Sequence, residues 1–371
     1  MPDISIERMR RYRRDLHKIP ELDSDLPQTQ AYVTEVLSGL KCHVFSPIKS
    51  AVCAFFDFGR SDALAFRSDM DALPITERTG LPFASSHEGC MHACGHDGHM
   101  AALLELANII DSPRDMPHNI LLIFQPAEET TGGAKYICES GVFDKYNVKA
   151  VFGMHLWPSL PAGRLSTRPG GMLAKSSEIN VRISGKGSHI ARAEEGRDAL
   201  EAAAHFLLDA YKMVDSEFPP EERRLLKFGH MTSGSVRNAI SAETLLEGSM
   251  RAFSLETFGR MRSRLEDIAG EIAGQSGCRF DIELSEGYPP VVNDPALYDA
   301  VSRFLGDDMP ALLPEPFMIA EDFSYYGLCR PSLFFLLGTG RDCPLHSDTF
   351  DFDEEILASG AKLFASLAMM P

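Results

Sequence analysis

The sequence predicts an α/β protein: a mostly parallel sheet with helices on both faces, interrupted by an inserted α+β sandwich. Three observations carry this. Near-continuous apolar runs at 50–58 (SAVCAFFDF), 62–67 (DALAFR), 119–124 (NILLIF), 148–154 (VKAVFGM) and 332–337 (SLFFLL) alternate with helix-length segments. Strands apolar on both sides are buried on both sides, as in parallel sheets covered by helices. Between 176 and 289 the pattern changes to strict alternation, in the order β-α-β-β-α-β. A length of 371 residues suits two domains better than one core. The expected division is 1–175 and 290–371 for the first domain and 176–289 for the insert. Pro169-Gly170-Gly171 and Pro289-Pro290 are the expected hinges.

The elements follow in order. An Arg-rich amphipathic helix is expected over 4–18, ending before Pro20, and a second over 27–40. Strands at 50–58 and 62–67 come next, the latter running into Ser68-Asp69-Met70-Asp71. After the histidine-rich stretch 91–100 (MHACGHDGHM), Ala and Leu predict a helix over 100–111. The strand at 119–124 leads to Gln125-Pro126-Ala127-Glu128-Glu129, then a short helix over 134–140. The strand at 148–154 ends at His155. In the insert, strands are expected at 177–184, 225–230, 244–253 and 279–284, with helices over 197–211 and 255–274. The strand at 332–337 precedes a loop carrying His346, and a helix over 354–369 closes the chain.

Composition narrows the function classes. Apolar residues make up 44% and charged residues 24%, as in globular proteins. A net charge of −17 argues against a phosphate-binding nucleic-acid surface. No apolar run reaches the ~18 residues of a membrane span, so no membrane partner is expected. The N-terminus lacks the apolar core of a signal peptide, and the eight cysteines show no framework spacing. A cytoplasmic location with reduced thiols is the expectation.

His92, Cys94, His96 and His99 place three imidazoles and a thiol within eight residues. Such crowding of borderline donors suits a transition metal. Cys94 and His96 would share a face of an extended segment, and His96 and His99 a face of a helix. Asp69 and Asp71 sit just past one strand, and Glu128 and Glu129 at the end of another. In an extended segment the two glutamates would point in opposite directions, one toward a metal and the other toward the water to be deprotonated. The candidates fall repeatedly just past the carboxyl ends of apolar strands, where such sheets bind ligands. Alone, His155 reads as a core histidine, His346 and His189 as surface groups, and Arg251 as a solvated strand residue.

These pieces, with RRDLHKIPEL (13–22), RSDMDALPITE (67–77), GMHLWP (153–158), GKGSHIA (185–191), SGSVRNAISAETLLEGSMRAFS (233–254), AEDFSYY (320–326) and LHSDTFDF (345–352), resemble the amidohydrolase branch of the aminoacylase/carboxypeptidase metallopeptidase family. That branch includes hippurate hydrolases, indole-acetyl-amino-acid hydrolases and N-acetyldiaminopimelate deacetylases. The resemblance implies two divalent metal ions (zinc, or manganese, cobalt or nickel) on Cys94, His96, Glu129, His155 and His346, with Cys94 a possible bridge. It implies Glu128 as general base, His189 as an oxyanion-stabilising group, and Asn238 and Arg251 at the substrate carboxylate. Asp69, Asp71, Asp97 and His99 would orient ligands. The insert would be a lid and dimerisation domain of a homodimer. Ala193-Glu194 stands where the family often has Pro-His.

The implied reaction is metal-dependent hydrolysis of N-acyl amino acids (acetyl, benzoyl or similar). A dipeptidase or carboxypeptidase with the same chemistry is the alternative. A catalytically idle metal-binding protein is disfavoured because the base and all implied ligands are present.

Overall fold

The computed structural model describes residues 4–112 and 115–371, so residues 1–3 of the segment read for a leader lie outside it. The chain forms two compact units. One comprises Met1–Met172, Val292–Glu315 and Asp322–Pro371; the other comprises Leu173–Val291 and Pro316–Glu321.

The first unit begins with α1 (Ile6–His17), α2 (Pro27–Ser38), β1 (His43–Phe45), β2 (Val52–Phe56) and β3 (Ala63–Asp69). It continues with α3 (His96–Asp111), β4 (Asn119–Gln125), α4 (Gly133–Glu139), α5 (Val142–Lys145), β5 (Val148–Trp157) and β6 (Leu165–Thr167). After β7 (Gly170–Leu173) come β8 (Lys175–Ser184), α6 (Ala199–Ser216), β9 (Arg224–Ser233), β10 (Glu243–Ala252), α7 (Leu255–Ser276) and β11 (Arg279–Leu284) of the second unit. The chain ends with β12 (Val291–Asn293), α8 (Pro295–Leu305), β13 (Ala311–Leu312), α9 (Ser324–Cys329), β14 (Ser332–Gly338) and α10 (Leu357–Leu367).

Among the described residues, the first unit holds an eight-stranded sheet in the order β1-β2-β4-β3-β5-β14-β6-β13. Its centre, β4-β3-β5-β14, is parallel throughout. The apolar runs are buried on both faces, as their composition requires. Ile120, Leu122 and Phe124 of β4 enter the core beneath α1, α2, α3 and α10, while Leu121 and Ile123 are equally buried on the opposite face. On that opposite face lie α4 and α9, with Tyr326 of α9 donating to Gln125 Oε1 at the end of β4, 2.9 Å away.

Register brings the chemistry together. Asp69 pairs with Gln125, and Arg67 with Gly153, so the carboxyl ends of β3, β4 and β5 lie at one edge. β3 runs two residues beyond the expected 67, making Asp69 part of the strand. β5 likewise extends to Trp157, so His155 is a strand residue. The last helix is split, with a 3-10 turn at Glu354–Ile356 before α10.

The second unit is an antiparallel sheet, β11-β8-β10-β9. Ile179, Val181 and Ile183 of β8 face a core shared with α6 and α7, while Glu178 and Arg182 are exposed. Asp198 caps α6 by accepting from the N–H groups of Leu200 and Glu201, at 2.9 and 3.2 Å.

Gly153 in β5 is a packing requirement. A Cβ there would lie 2.5 Å from the Phe323 ring and 3.0 Å from that of Phe334. Gly153→Ala should cost about 1–3 kcal/mol through overpacking, seen as a lower denaturant midpoint. An unchanged midpoint would show that these rings yield freely.

Candidate metal centre

The histidine-rich segment is sharply bent between its two implied ligands. Gly95 adopts φ 84°, and α3 begins at His96, four residues earlier than expected. Cys94 and His96 therefore do not share one face of an extended segment. A Cβ at Gly95 would also fall 2.7 Å from Leu156 Cδ1, so both conformation and packing call for glycine. The helical face shared by His96 and His99 is present, with ring centroids 5.4 Å apart.

Hydrogen bonds set the orientation of each ring. His96 Nδ1 donates to the Asp71 carbonyl at 2.8 Å, leaving Nε2 buried and without a hydrogen-bond partner. That nitrogen is 3.7 Å from Asp69 Oδ2 and 3.9 Å from Glu129 Oε1, itself buried and unpartnered by hydrogen bonds. His155 Nδ1 donates to the Leu156 carbonyl at 2.6 Å, turning Nε2 to Cys94 Sγ at 3.3 Å. His346, at φ 64°, brings Nε2 to 3.3 Å from Glu129 Oε1. Donors sharing a tetrahedral zinc ion stand about 3.4 Å apart, given metal–ligand distances of about 2.0–2.3 Å. The donor atoms of Cys94, His96 and Glu129 all lie within 4.8 Å of one another.

The electrostatics fit a cation in the same place. Burial, then the charges of Glu129, Glu128 and Asp69, push the Cys94 thiol well up. Burial opposes protonation of His96, but Asp69, Asp71 and Glu129 overcome it and raise it to about 10. Burial, then His99, hold His155 well below its ordinary value. Carboxylates thus crowd a neutral imidazole, a thiol and a ring that gathers a proton. A divalent cation would replace the protons on Cys94 and His96 and offset the carboxylates.

The aspartates and His99 act around these donors. Asp69 Oδ1 accepts from His99 Nδ1 at 2.7 Å, and His99 Nε2 accepts from the Leu156 N–H at 2.9 Å. Both nitrogens of His99 are therefore used. Asp71 accepts from the backbone N–H groups of Glu128 and Glu129, one on each carboxylate oxygen, both at 3.0 Å. The glutamates lie in a turn rather than an extended segment, after Ala127 at φ 61°. Their separation in direction thus depends on a turn held by Asp71. Asp97 takes its hydrogen bonds elsewhere, from His17 Nδ1 at 2.8 Å and Arg13 Nε at 3.2 Å, so it fastens α1 to the first turn of α3.

The sequence reading missed Arg67. Its guanidinium is fully buried and donates to Asp69 Oδ2, Asp322 Oδ1 and Gln125 Oε1, at 2.9, 2.8 and 2.9 Å. Asp322 Oδ2 accepts from Gln125 Nε2 and the Ala134 N–H, at 2.6 and 3.0 Å. An arginine ending the apolar run DALAFR was the available signal, since a charge there must be paired. His17, given no role from sequence, joins Asp97 and Glu77.

The remaining candidates belong to the second unit. His189 is exposed, its Nδ1 accepting from the Ala191 N–H at 3.2 Å. Asn238 is exposed, and its carbonyl accepts from the Ile190 N–H at 3.0 Å, joining the two loops. Arg251 is half-buried, donating to Ser249 Oγ at 3.2 Å and to the Met318 carbonyl.

Residues 65–370 match the model of peptidase family M20/M25/M40, and the chain belongs to that family. It is a hydrolase. An uncharacterized hydrolase of Staphylococcus epidermidis is 34% identical over 357 residues, covering 93% of each chain. One from Staphylococcus aureus is 32% identical over 373 residues, covering 98% of this chain and 97% of its own. Among solved structures, the YXEP protein of Bacillus subtilis, a dinuclear metal binding peptidase of family M20, superposes with a TM-score of 0.85 at 30% identity, covering 98% and 97% of the chains. The aminobenzoyl-glutamate utilization protein of Klebsiella pneumoniae shares the fold at a TM-score of 0.63 and 21% identity, covering 97% and 95%.

Removing the loop anchor with Asp71→Ala should weaken metal binding about 10–100-fold, measured by competition with a chelator. Unchanged affinity would mean the turn stands without it. A second expectation concerns pH. Burial opposes protonation of His17, but Asp97 and Glu77 raise it from 6.5 to about 9. Its contribution to stability is therefore full below pH 6.5 and lost as pH rises toward 9. Burial opposes ionisation of Glu77, but hydrogen bonds from His17, Thr79 and Ser85 lower it from 4.5 to about 2. That contribution is full above pH 4.5 and lost toward 2. Wild type should exceed His17→Asn in denaturant midpoint most between pH 4.5 and 6.5, with the gap shrinking by pH 9. A gap independent of pH would remove the ion pair as its cause.

Proposed function

We propose that the protein is a metal-dependent amidohydrolase that cleaves the amide bond of N-acyl amino acids, releasing a carboxylate and a free amino acid. The observation that carries this is the clustering of the donor atoms of Cys94, His96 and Glu129, with His155 3.3 Å from Cys94 and the exposed His346 3.3 Å from Glu129, beside Glu128 on the same turn. Those five residues would hold two divalent cations, zinc or else manganese, cobalt or nickel. When bound, the cations would supply Lewis acidity that makes water easier to deprotonate and the scissile carbonyl easier to attack.

The chain's own groups divide the remaining work. The Glu128 carboxylate, 7% exposed, accepts a proton from the attacking water and delivers it to the leaving amine nitrogen. Its backbone is held by Asp71, so the carboxylate is placed before substrate arrives. Asp69 and the Asp71 and Leu156 carbonyls keep His99, His96 and His155 in their tautomers. His189 would donate to the developing oxyanion, and Arg251 with Asn238 would meet the substrate carboxylate by charge-assisted hydrogen bonds. The second unit serves in this reading as lid and dimerisation domain of a homodimer. Support comes from β9, a sheet edge whose Met231 is 37% exposed.

Among the described residues no helix is long and apolar enough to cross a membrane. All eight cysteines are free, which supports a reducing, cytoplasmic setting. The relation to a peptidase keeps peptide-bond cleavage as the rival activity. A metal-reconstituted screen over N-acetyl, N-benzoyl and N-succinyl amino acids and dipeptides separates them. Turnover of dipeptides alone would reject the acyl-amino-acid reading.

Glu128→Gln should keep its metal by elemental analysis while turnover falls about 10²–10⁴-fold, the usual size of general-base catalysis. Full activity in this variant would reject Glu128 as the base. Cys94→Ala should bind fewer metal equivalents; an undiminished content would exclude Cys94 as a ligand.

A further inference from the structure

We propose that Asp23 is a positioning residue for the turn that carries Glu128 and Glu129, holding it through the Thr130 hydroxyl. Its effect on turnover rests on the reading of Glu128 as the base. The turn is bounded by two residues of left-handed backbone, Ala127 at φ 61° and Gly132 at φ 79°, and the Gly132 N–H donates to the Ala127 carbonyl at 2.9 Å. Residues 128–131 belong to no helix or strand, so the groups that grip them from outside set their geometry. Asp71 grips the first half, through the N–H groups of Glu128 and Glu129. Asp23 grips the second half. Thr130 Oγ1 donates to Asp23 Oδ1 at 2.6 Å, and Thr131 Oγ1 reaches the same oxygen at 3.5 Å. A hydroxyl donating to a carboxylate makes one of the stronger kinds of hydrogen bond.

The two grips belong to one closed circuit. The Glu21 carbonyl accepts from the Ala72 N–H at 2.8 Å, and Leu22 pairs with Ala72 in a short parallel bridge. Ala72 follows Asp71 directly. Contacts therefore run from Asp23 back to Glu21, across to Ala72 and Asp71, across again to Glu128 and Glu129, and through Thr130 to Asp23. The segment that carries Asp23 is itself fastened. The Glu21 carboxylate accepts from the N–H groups of Gln28 and Thr29 in the first turn of α2, at 3.0 and 2.9 Å. The Ser24 carbonyl accepts from Ser50 Oγ at 2.8 Å. Asp23 itself stands at φ 56°, a left-handed conformation that Asp and Asn adopt more readily than other residues with a Cβ.

Opening the circuit at Asp23 leaves the Asp71 bonds in place and releases the far end of the turn. The Glu128 carboxylate is then held less closely in its working position. Glu128 acts on the attacking water and the leaving nitrogen rather than on substrate binding, so its misplacement lowers kcat and leaves KM nearly unchanged.

The test uses the full-length, metal-loaded protein and two substitutions that both tolerate the left-handed backbone. Asp23→Gly removes the acceptor, and Asp23→Asn keeps an acceptor oxygen. The first readout, amide deuterium exchange in peptides covering 128–131, needs no substrate. Asp23→Gly should exchange about tenfold faster there, Asp23→Asn should stay near the wild-type rate, and the thermal midpoint should change little in either. The second readout is hydrolysis of N-acetyl and N-benzoyl amino acids. Asp23→Gly should lower kcat about 10–100-fold at constant KM and metal content. Thr130→Val should show a similar loss, with no further loss when the two are combined. Unchanged exchange in Asp23→Gly would overturn the proposal, as would equal effects of Gly and Asn. So would a lower thermal midpoint with exchange at 128–131 and kcat both retained, which marks a merely structural residue. Glu128→Gln run alongside separates the two readings: full activity there rejects the base, while the exchange data still decide whether Asp23 holds the turn.

Discussion

The buried guanidinium of Arg67 is the contact on which the site's architecture rests. It lies where β3, β4 and the segment at Asp322 meet, and it satisfies a carboxylate or amide oxygen on each. Two carboxylates could not be buried side by side without it, because the desolvation cost of each would go uncompensated. With it, Asp69 stays ionised: burial opposes that, but His96, Arg67 and His99 together hold it well below the usual carboxylate range. From that one charge the order spreads outward, through Asp69 to the tautomer of His99 and through Asp322 to Gln125 and Ala134.

A second anchor, Asp71, does for the backbone what Asp69 does for side chains. Two consecutive N–H groups bound to one carboxylate fix the turn that carries Glu128 and Glu129. The candidate donors Glu129 and His96 are therefore tied closely to the sheet edge. The candidate donors lie at the carboxyl edge of a parallel sheet, where side chains from separate strands converge. Buried ion pairs, among them the Arg13, His17 and Asp97 group, pack around the first turn of α3.

Much of this was legible in the residues. Runs such as NILLIF have no polar face, so two-sided burial followed from composition, and alternation in SEINVRIS marked the change of architecture. The resemblance pointed to Cys94, His96, Glu129, His155 and His346, which the fold gathers in one place. Local geometry was less legible. The bend at Gly95 and the turn at Ala127 depend on tertiary contacts with Leu156 and Asp71, which no local pattern encodes. For the same reason Asp97 was expected beside the donors. Helical geometry turns it instead toward α1, whose Arg13 and His17 lie some eighty residues earlier. His189, Asn238 and Arg251 make local contacts within the second unit.

The insertion of the second unit has a consequence for assembly. Cys94, His96, Glu129 and His155 precede it and His346 follows it, so the full set of candidate donors is complete only once the chain after the insert, with β14 paired to β5, is in place. Closure over so long a span carries a cost in chain entropy. With one candidate donor beyond β14, cation capture would report on the completed first unit. A chain ending before residue 346 would hold four of the five candidate donors, so its cation affinity would differ from that of the complete fold.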